Sequence, residues 1–206
     1  AIDKIDRESK QLLKMKHPNL VGVYGAGFVD DRFFFATELI DGESLASILS
    51  RRGKLAPDQV VTYGRQIAEV LHYLHDQGLI HSKLTPEKIL VTPDDTVKVA
   101  DLRLNRAKRR RWDSPRRRDL ELAAYMAPEH FTEGSCEKSD FYSLGVMLFE
   151  MLSGKLPYPP DTMGRMHKNK IDGDVPEIAT HVMNCPIWLN QIVTQIYDLL
   201  IDIYLE

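Results

Sequence analysis

His81-Ser82-Lys83-Leu84-Thr85-Pro86-Glu87-Lys88-Ile89-Leu90 decides the reading of this 206-residue chain. The stretch is polar and basic up to Lys88 and then turns apolar. Ile89–Thr92 and Val97–Ala100 are two short strand candidates. Pro93-Asp94-Asp95 joins them, and such residues favour a tight turn, so the pair predicts a hairpin. Asp101-Leu102-Arg103 follows at its exit.

Working upstream, Pro57 suits a helix first turn, with Asp58 near the positive end of the helix dipole. Val60, Ile67, Val70, Leu71 and Leu74 make one apolar stripe, and Gly78 is placed to cap the C-terminus. Leu45–Arg51 predicts a short helix, preceded by the breaker Asp41-Gly42-Glu43. Earlier still, Leu20–Val29 and Phe33–Ile40 read as strands around an Asp30-Asp31-Arg32 turn. Ile2–Lys16 carries Ile2, Ile5, Leu12 and Leu13 at helical spacing, and His17-Pro18-Asn19 ends it, because the residue before proline is pushed out of the helical region. Downstream, Asp140–Leu152 is apolar nearly all round and predicts a buried helix stopped at Gly154. Trp188–Leu205 predicts a last helix. The order predicts an α+β fold, a small sheet-bearing layer on a larger helical body.

The length fits one domain or a little more, and 43% apolar residues suffice for a sizeable core. A formal net charge of −3 argues against a nucleic-acid binder. Cys136 and Cys185 lie far apart without metal-ligand spacing, which suggests a reducing, cytoplasmic setting. No apolar run is long enough to span a bilayer and there is no signal peptide. Arg106 to Arg118 holds eight basic residues in thirteen. Such a run repels itself and reads as a solvated, mobile loop; docking to an acidic protein partner is the next reading, and nucleic acid the third.

The central stretch resembles the protein-kinase catalytic loop, H-R-D-L-K-P-x-N. Asp101-Leu102-Arg103 resembles the metal-binding D-F-G. Tyr125-Met126-Ala127-Pro128-Glu129 resembles the Y-M-A-P-E of bacterial eukaryotic-like Ser/Thr kinases, and Ser139-Asp140-Phe141-Tyr142-Ser143-Leu144-Gly145 the start of the kinase central helix. Upstream, Arg7-Glu8 and His17-Pro18-Asn19-Leu20-Val21 match the glutamate of helix C and the segment after it. The resemblance covers essentially the whole chain and implies a bilobal kinase-like fold. Residues 1–41 would form a partial small lobe, with helix C, two strands and the hinge. Residues 42–206 would form the helical lobe, ending near helix H. The Gly-rich loop and the V-A-I-K lysine have no counterpart in the sequence, and neither has the arginine that usually pairs with Glu129.

The resemblance also assigns positions. Thr37 matches the gatekeeper, Glu38, Leu39 and Ile40 the hinge that bonds adenine through its backbone, and Leu90 the floor under adenine. Glu8 matches the helix-C glutamate, for which Arg103 is a candidate partner. Asp101 keeps a carboxylate for the first magnesium. His81, Leu102, Leu12 and Val23 would stack as an internal column, and Asp140 would hold the loop backbone. The chemistry-bearing positions depart from the family. Lys83 stands where the catalytic aspartate should, Thr85 where the phosphate-steadying lysine should, and Lys88 where the second metal ligand, an asparagine, should. Ser82 replaces the loop arginine that grips an activation-segment phosphate, leaving Ser114 without that partner. Arg103 replaces the D-F-G glycine, and Leu122 the threonine that supports the aspartate.

Phosphoryl transfer is mostly positioning and charge stabilisation. A lysine ammonium, which ordinarily loses its proton near about 10.4, has no lone pair to take a hydroxyl proton at neutral pH. A cation at position 88 does not coordinate a cation. Two readings therefore stand. One is a pseudokinase, a kinase-like module that binds or regulates a protein partner. The other is an active ATP-dependent Ser/Thr kinase that transfers the γ-phosphate to protein hydroxyls, with ATP and Mg2+ implied by the family. Within the second reading, residual nucleotide chemistry would persist, with Lys83 and Lys88 partly replacing magnesium by neutralising phosphate charge.

Overall fold

The computed structural model describes residues 10–30, 32–102, 117–131, 134–158, 161–171, 178, 186–191 and 194–195. Glu8, Arg103, Ser114, Cys185 and nearly all of the basic run lie outside these residues, as do most of Ile2–Lys16 and Trp188–Leu205.

Strands β1 (Val23–Val29) and β2 (Arg32–Thr37) pair antiparallel, with Val29 opposite Arg32 across the turn. A register irregularity between Val23 and Gly25 turns Tyr24 outward, where it is 73% exposed. Both strands are shorter than the apolar runs predicted. Leu20 and Val21 leave β1 to join the central hairpin: Val21 N–H donates to Val99 O at 2.9 Å, and Val99 N–H to Asn19 O at 2.7 Å. Glu38, Leu39 and Ile40 lie beyond β2, and Leu39 is 96% exposed. The helix before β1 also stops early. Lys10, Gln11 and Leu12 are helical, and the chain has turned by Leu13, short of the predicted Lys16.

The helical body starts with β3 (Glu43–Ser44), α1 (Leu45–Arg52) and α2 (Pro57–Asp76). Ser44 caps α1, accepting from Ser47 N–H at 3.1 Å. Pro57 opens α2, and Val60, Ile67, Val70, Leu71 and Leu74 are all fully buried. Each such aliphatic side chain stabilises the fold by roughly 1.5–3 kcal/mol. The helix ends in a Schellman motif: Gly78 N–H donates to His75 O at 2.8 Å and Leu79 N–H to Leu74 O at 2.9 Å. Gly78 takes a φ of 68°, open to glycine at little cost.

Strands β4 (Ile89–Val91) and β5 (Val97–Val99) form the predicted hairpin. The two-residue β3 pairs with β4, making a three-stranded sheet that sequence periodicity could not reveal. Helices α3 (Arg117–Tyr125), α4 (Glu137–Ser153) and α5 (Met163–Ile171) follow. The predicted central helix is α4, and it packs against α2 in one continuous core. Gly154 ends it in the left-handed region, at φ 74°. Glu129 accepts from the Ser139 hydroxyl in the first turn of α4, so its carboxylate serves the helix N-terminus.

Candidate functional site

The loop from His81 to Lys88 is held from beneath by α4. Asp140 is fully buried, and its carboxylate accepts from His81 N–H at 2.8 Å and Ser82 N–H at 2.7 Å, with the His75 ring at 2.9 Å. This clamp keeps Ser82 at φ 60°, a conformation that costs a non-glycine residue about 1–3 kcal/mol and persists only where its surroundings impose it. His81 has its ring against Ala100 O at 3.1 Å, while its Nδ1 accepts from Lys83 N–H at 3.4 Å. Burial pushes its pKa below the ordinary value, against the pull of Asp140. His81 is thus a neutral strut between the loop and the end of β5. Of the other residues assigned to the column, Leu12 lies in the main core, with the half-buried Val23 and Leu102 packed against that core.

After Leu84, a 3-10 turn at Pro86–Lys88 carries the chain into β4, with Lys88 N–H donating to Thr85 O at 2.9 Å. The turn aims the Lys88 side chain at the residue after the hairpin. Lys88 Nζ lies 2.6 Å from Asp101 Oδ2. Asp101 itself adopts φ 61°. The predicted metal carboxylate is therefore paired with an ammonium of this chain. Among the described residues, no group of three His, Cys, Asp or Glu side chains is arranged to hold a metal ion. The donor set at Asp101 does not fit Mg2+: one carboxylate oxygen is taken by a cation, and the second ligand position is that cation.

Lys83, Thr85, Lys88 and Asp101 share the wall of a cavity of about 780 Å³. Its other walls come from α1, α3 and Glu150 of α4. Leu122 lines it, with Asp119, Glu121 and Tyr125 on the same helix. Tyr125 donates to Glu150 Oε2 at 2.6 Å. Burial raises the Glu150 carboxyl pKa, opposed by this hydrogen bond. Burial, and then the Glu150 charge, raise that of the Tyr125 hydroxyl. The cavity thus sits on the helical side of the loop.

Thr37, Glu38, Ile40 and Leu90 are not among its lining residues. They occupy the end of β2, the segment after it and β4. The Glu38 side chain accepts from Gly22 N–H at 3.1 Å and meets Lys98 Nζ at 2.9 and 3.1 Å. The Gly22 bond, and then Lys98, hold its carboxyl below the usual range. Glu38 and Lys98 border a separate depression of about 320 Å³, with Met15 and His17. Sequence reasoning missed Glu150, whose signal was a lone carboxylate inside the apolar run Phe141–Leu152. It missed α3 as well, whose side chains form a whole wall.

Comparison with known proteins agrees with this architecture. The family described as "Protein kinase domain" matches residues 1–204. The serine/threonine-protein kinase PknL of Mycobacterium tuberculosis is 32% identical over 187 residues, covering 90% of this chain and 47% of PknL. The probable serine/threonine-protein kinase PknB of Lactococcus lactis is 26% identical over 194 residues, covering 94% of this chain and 31% of PknB. The crystal structure of Rad53 1–466 in complex with AMP-PNP superposes with a TM-score of 0.78 at 24% identity, covering 95% of this chain and 50% of that one. At that identity the likeness is one of fold. The chain spans about half the length, or less, of these relatives.

Proposed function

The chain belongs to the protein kinase family, and from that premise we propose that it is a pseudokinase module, which binds or regulates a protein partner and transfers phosphate weakly or not at all. The observation that carries this reading is the Lys88–Asp101 pair at 2.6 Å. Transfer in this family depends on metal ions that bridge the phosphates and neutralise developing charge. Here the one retained metal carboxylate already has a cation. Lys83, at the position of the base, shares the same wall.

The small lobe runs to Asp41 and the helical lobe from Gly42 in this reading. Thr37, Glu38, Ile40 and Leu90 are the adenine-side positions, where the Glu38 and Ile40 backbone would meet the base. Any nucleotide held there would be held without magnesium. Glu8 would support the small lobe, and the Arg106 to Arg118 run would dock an acidic protein surface. A cytoplasmic setting suits this role.

The test compares the wild-type protein with the double variant Lys83→Asp, Lys88→Asn. Phosphate transfer from labelled ATP to a generic protein substrate, and thermal stability with and without Mg2+, are measured together. We expect no transfer and no magnesium response in the wild type, and a magnesium-dependent gain in melting temperature in the variant. Wild-type transfer equal to that of the variant overturns the reading and makes the chain an active Ser/Thr kinase.

A further inference from the structure

The peptide group between Ser82 and Lys83 is held at both of its polar atoms. Its N–H donates to His81 Nδ1 at 3.4 Å, and its carbonyl, Ser82 O, lies 3.2 Å from His130 Nε2. A carbonyl oxygen only accepts, so His130 carries a proton on Nε2 and donates it. His81 takes the same tautomer, since its Nε2 faces Ala100 O at 3.1 Å. Two imidazoles thus grip one peptide plane. Asp140 fixes the preceding plane through the Ser82 N–H at 2.7 Å. These two planes flank the Ser82 Cα, and fixing both imposes its φ of 60°.

His130 reaches the loop from another part of the chain. It stands on the 3-10 turn Pro128–Phe131, just after α3. That turn has a firm base. Lys170 of α5 is only 3% exposed, and its Nζ donates to Ala123 O at 2.7 Å, Ala124 O at 2.9 Å and Met126 O at 2.5 Å. All three N–H donors of the ammonium are used there, at the end of α3 where carbonyls lack partners within the helix. The Phe131 ring packs on the His167 ring of α5, with centroids 4.9 Å apart. His130 Nδ1 is buried without a hydrogen-bond partner among the described residues, so the polar link of this ring to the loop is made by Nε2. Burial, with Glu129 opposing, pushes the His130 pKa below the ordinary value.

We propose that His130 is a positioning residue for Lys83: through the Ser82 carbonyl it sets the peptide plane from which the Lys83 side chain joins the cavity wall. Lys83 shares that wall with Thr85, Lys88 and Asp101. A charged group acts from a fixed place only when hydrogen bonds and packing behind it lock its support. His130 supplies that lock from a turn the sequence gives no reason to connect with the loop. The use of Lys83 as a fixed charge rests on the function proposed above; its placement by His130 does not.

The experiment uses the intact protein without ligand. Nitrogen-15 NMR of the histidine rings near neutral pH reads the tautomer of His130, and a bare Nε2 overturns the proposal whether or not any variant folds. His130→Ala removes the donor, and His130→Gln offers an amide N–H at similar reach. In each, exchange of the Lys83 amide is compared with that of the α2 amides, and acetylation of Lys83 by acetic anhydride with that of the exposed Lys16. In His130→Ala the Lys83 amide should exchange about tenfold faster relative to α2, whose amides report any general loss of stability. Its acetylation should change several-fold relative to Lys16, and His130→Gln should return both ratios toward wild type. A purely structural role moves the Lys83 and α2 amides together and leaves the acetylation ratio unchanged. That result in a folded His130→Ala overturns the proposal. None of these readouts involves nucleotide or phosphate transfer, so their failure would leave the pseudokinase reading standing.

Discussion

Asp140 keeps its carboxylate fully buried because three donors meet it: two loop amides and the His75 ring. Removing one partner of a buried pair leaves the other uncompensated, at a cost of about 3–5 kcal/mol. Asp140→Ala should therefore lower the urea midpoint by an amount equivalent to that loss. It should also relax Ser82 from its positive φ, which the amide chemical shifts of Ser82 and Lys83 would register. Asp140 was legible in the sequence because its neighbours spell a motif. Lys170 was not, since Lys168-Asn169-Lys170 reads as the polar face of any exposed helix. Its burial follows from the placement of α3, a long-range fact. The Lys88–Asp101 pair lies between: both residues were singled out, but only the 3-10 turn at Pro86–Lys88 shows that they meet.

Among the elements, those with strong local signals came through. The stripe of α2, the hairpin β4–β5 and the apolar α4 were readable because their patterns repeat over several turns or end in turn chemistry. The two-residue β3 is too short for any period. It exists because Gly42 lets the chain pass close to β4; a Cβ there would stand 2.5 Å from Val91 O. Gly42→Ala must therefore move backbone and should cost about 1–3 kcal/mol, read as a lower melting temperature. Gly78→Ala tests the other end of the scale. Nothing lies within 4 Å of an added Cβ, so only the left-handed φ is penalised, and a loss of about 1–2 kcal/mol is expected. The runs predicted as Leu20–Val29 and Phe33–Ile40 were too long: Leu20 and Val21 pair with Val99 instead, and β2 ends at Thr37, before Ile40.

For the molecule as a whole, buried bases set the response to pH. His81 and His130 have pKa values pushed below 6.5 by burial. The unfolded chain binds more protons than the folded one as pH drops below that value, so stability falls on acidification. Glu150, whose carboxyl is raised, works the other way, its contribution fading as pH climbs from 4.5. His17 and His167 are lowered as well; with four such histidines against one raised carboxyl among the described residues, unfolding free energy from urea titrations should rise between pH 5.5 and 7, and His81→Asn should flatten that rise. The ion pair at the candidate site bears on the molecule's relation to its surroundings in another way. A metal ion in such a place is a guest, exchanged with the solution and removed by a chelator. Lys88 belongs to the same folded chain as its carboxylate, at an effective concentration of millimolar order or higher that no change in the medium dilutes. Under the proposed reading Asp101 works with this resident counter-ion, and neither chelators nor the supply of divalent cations should alter it.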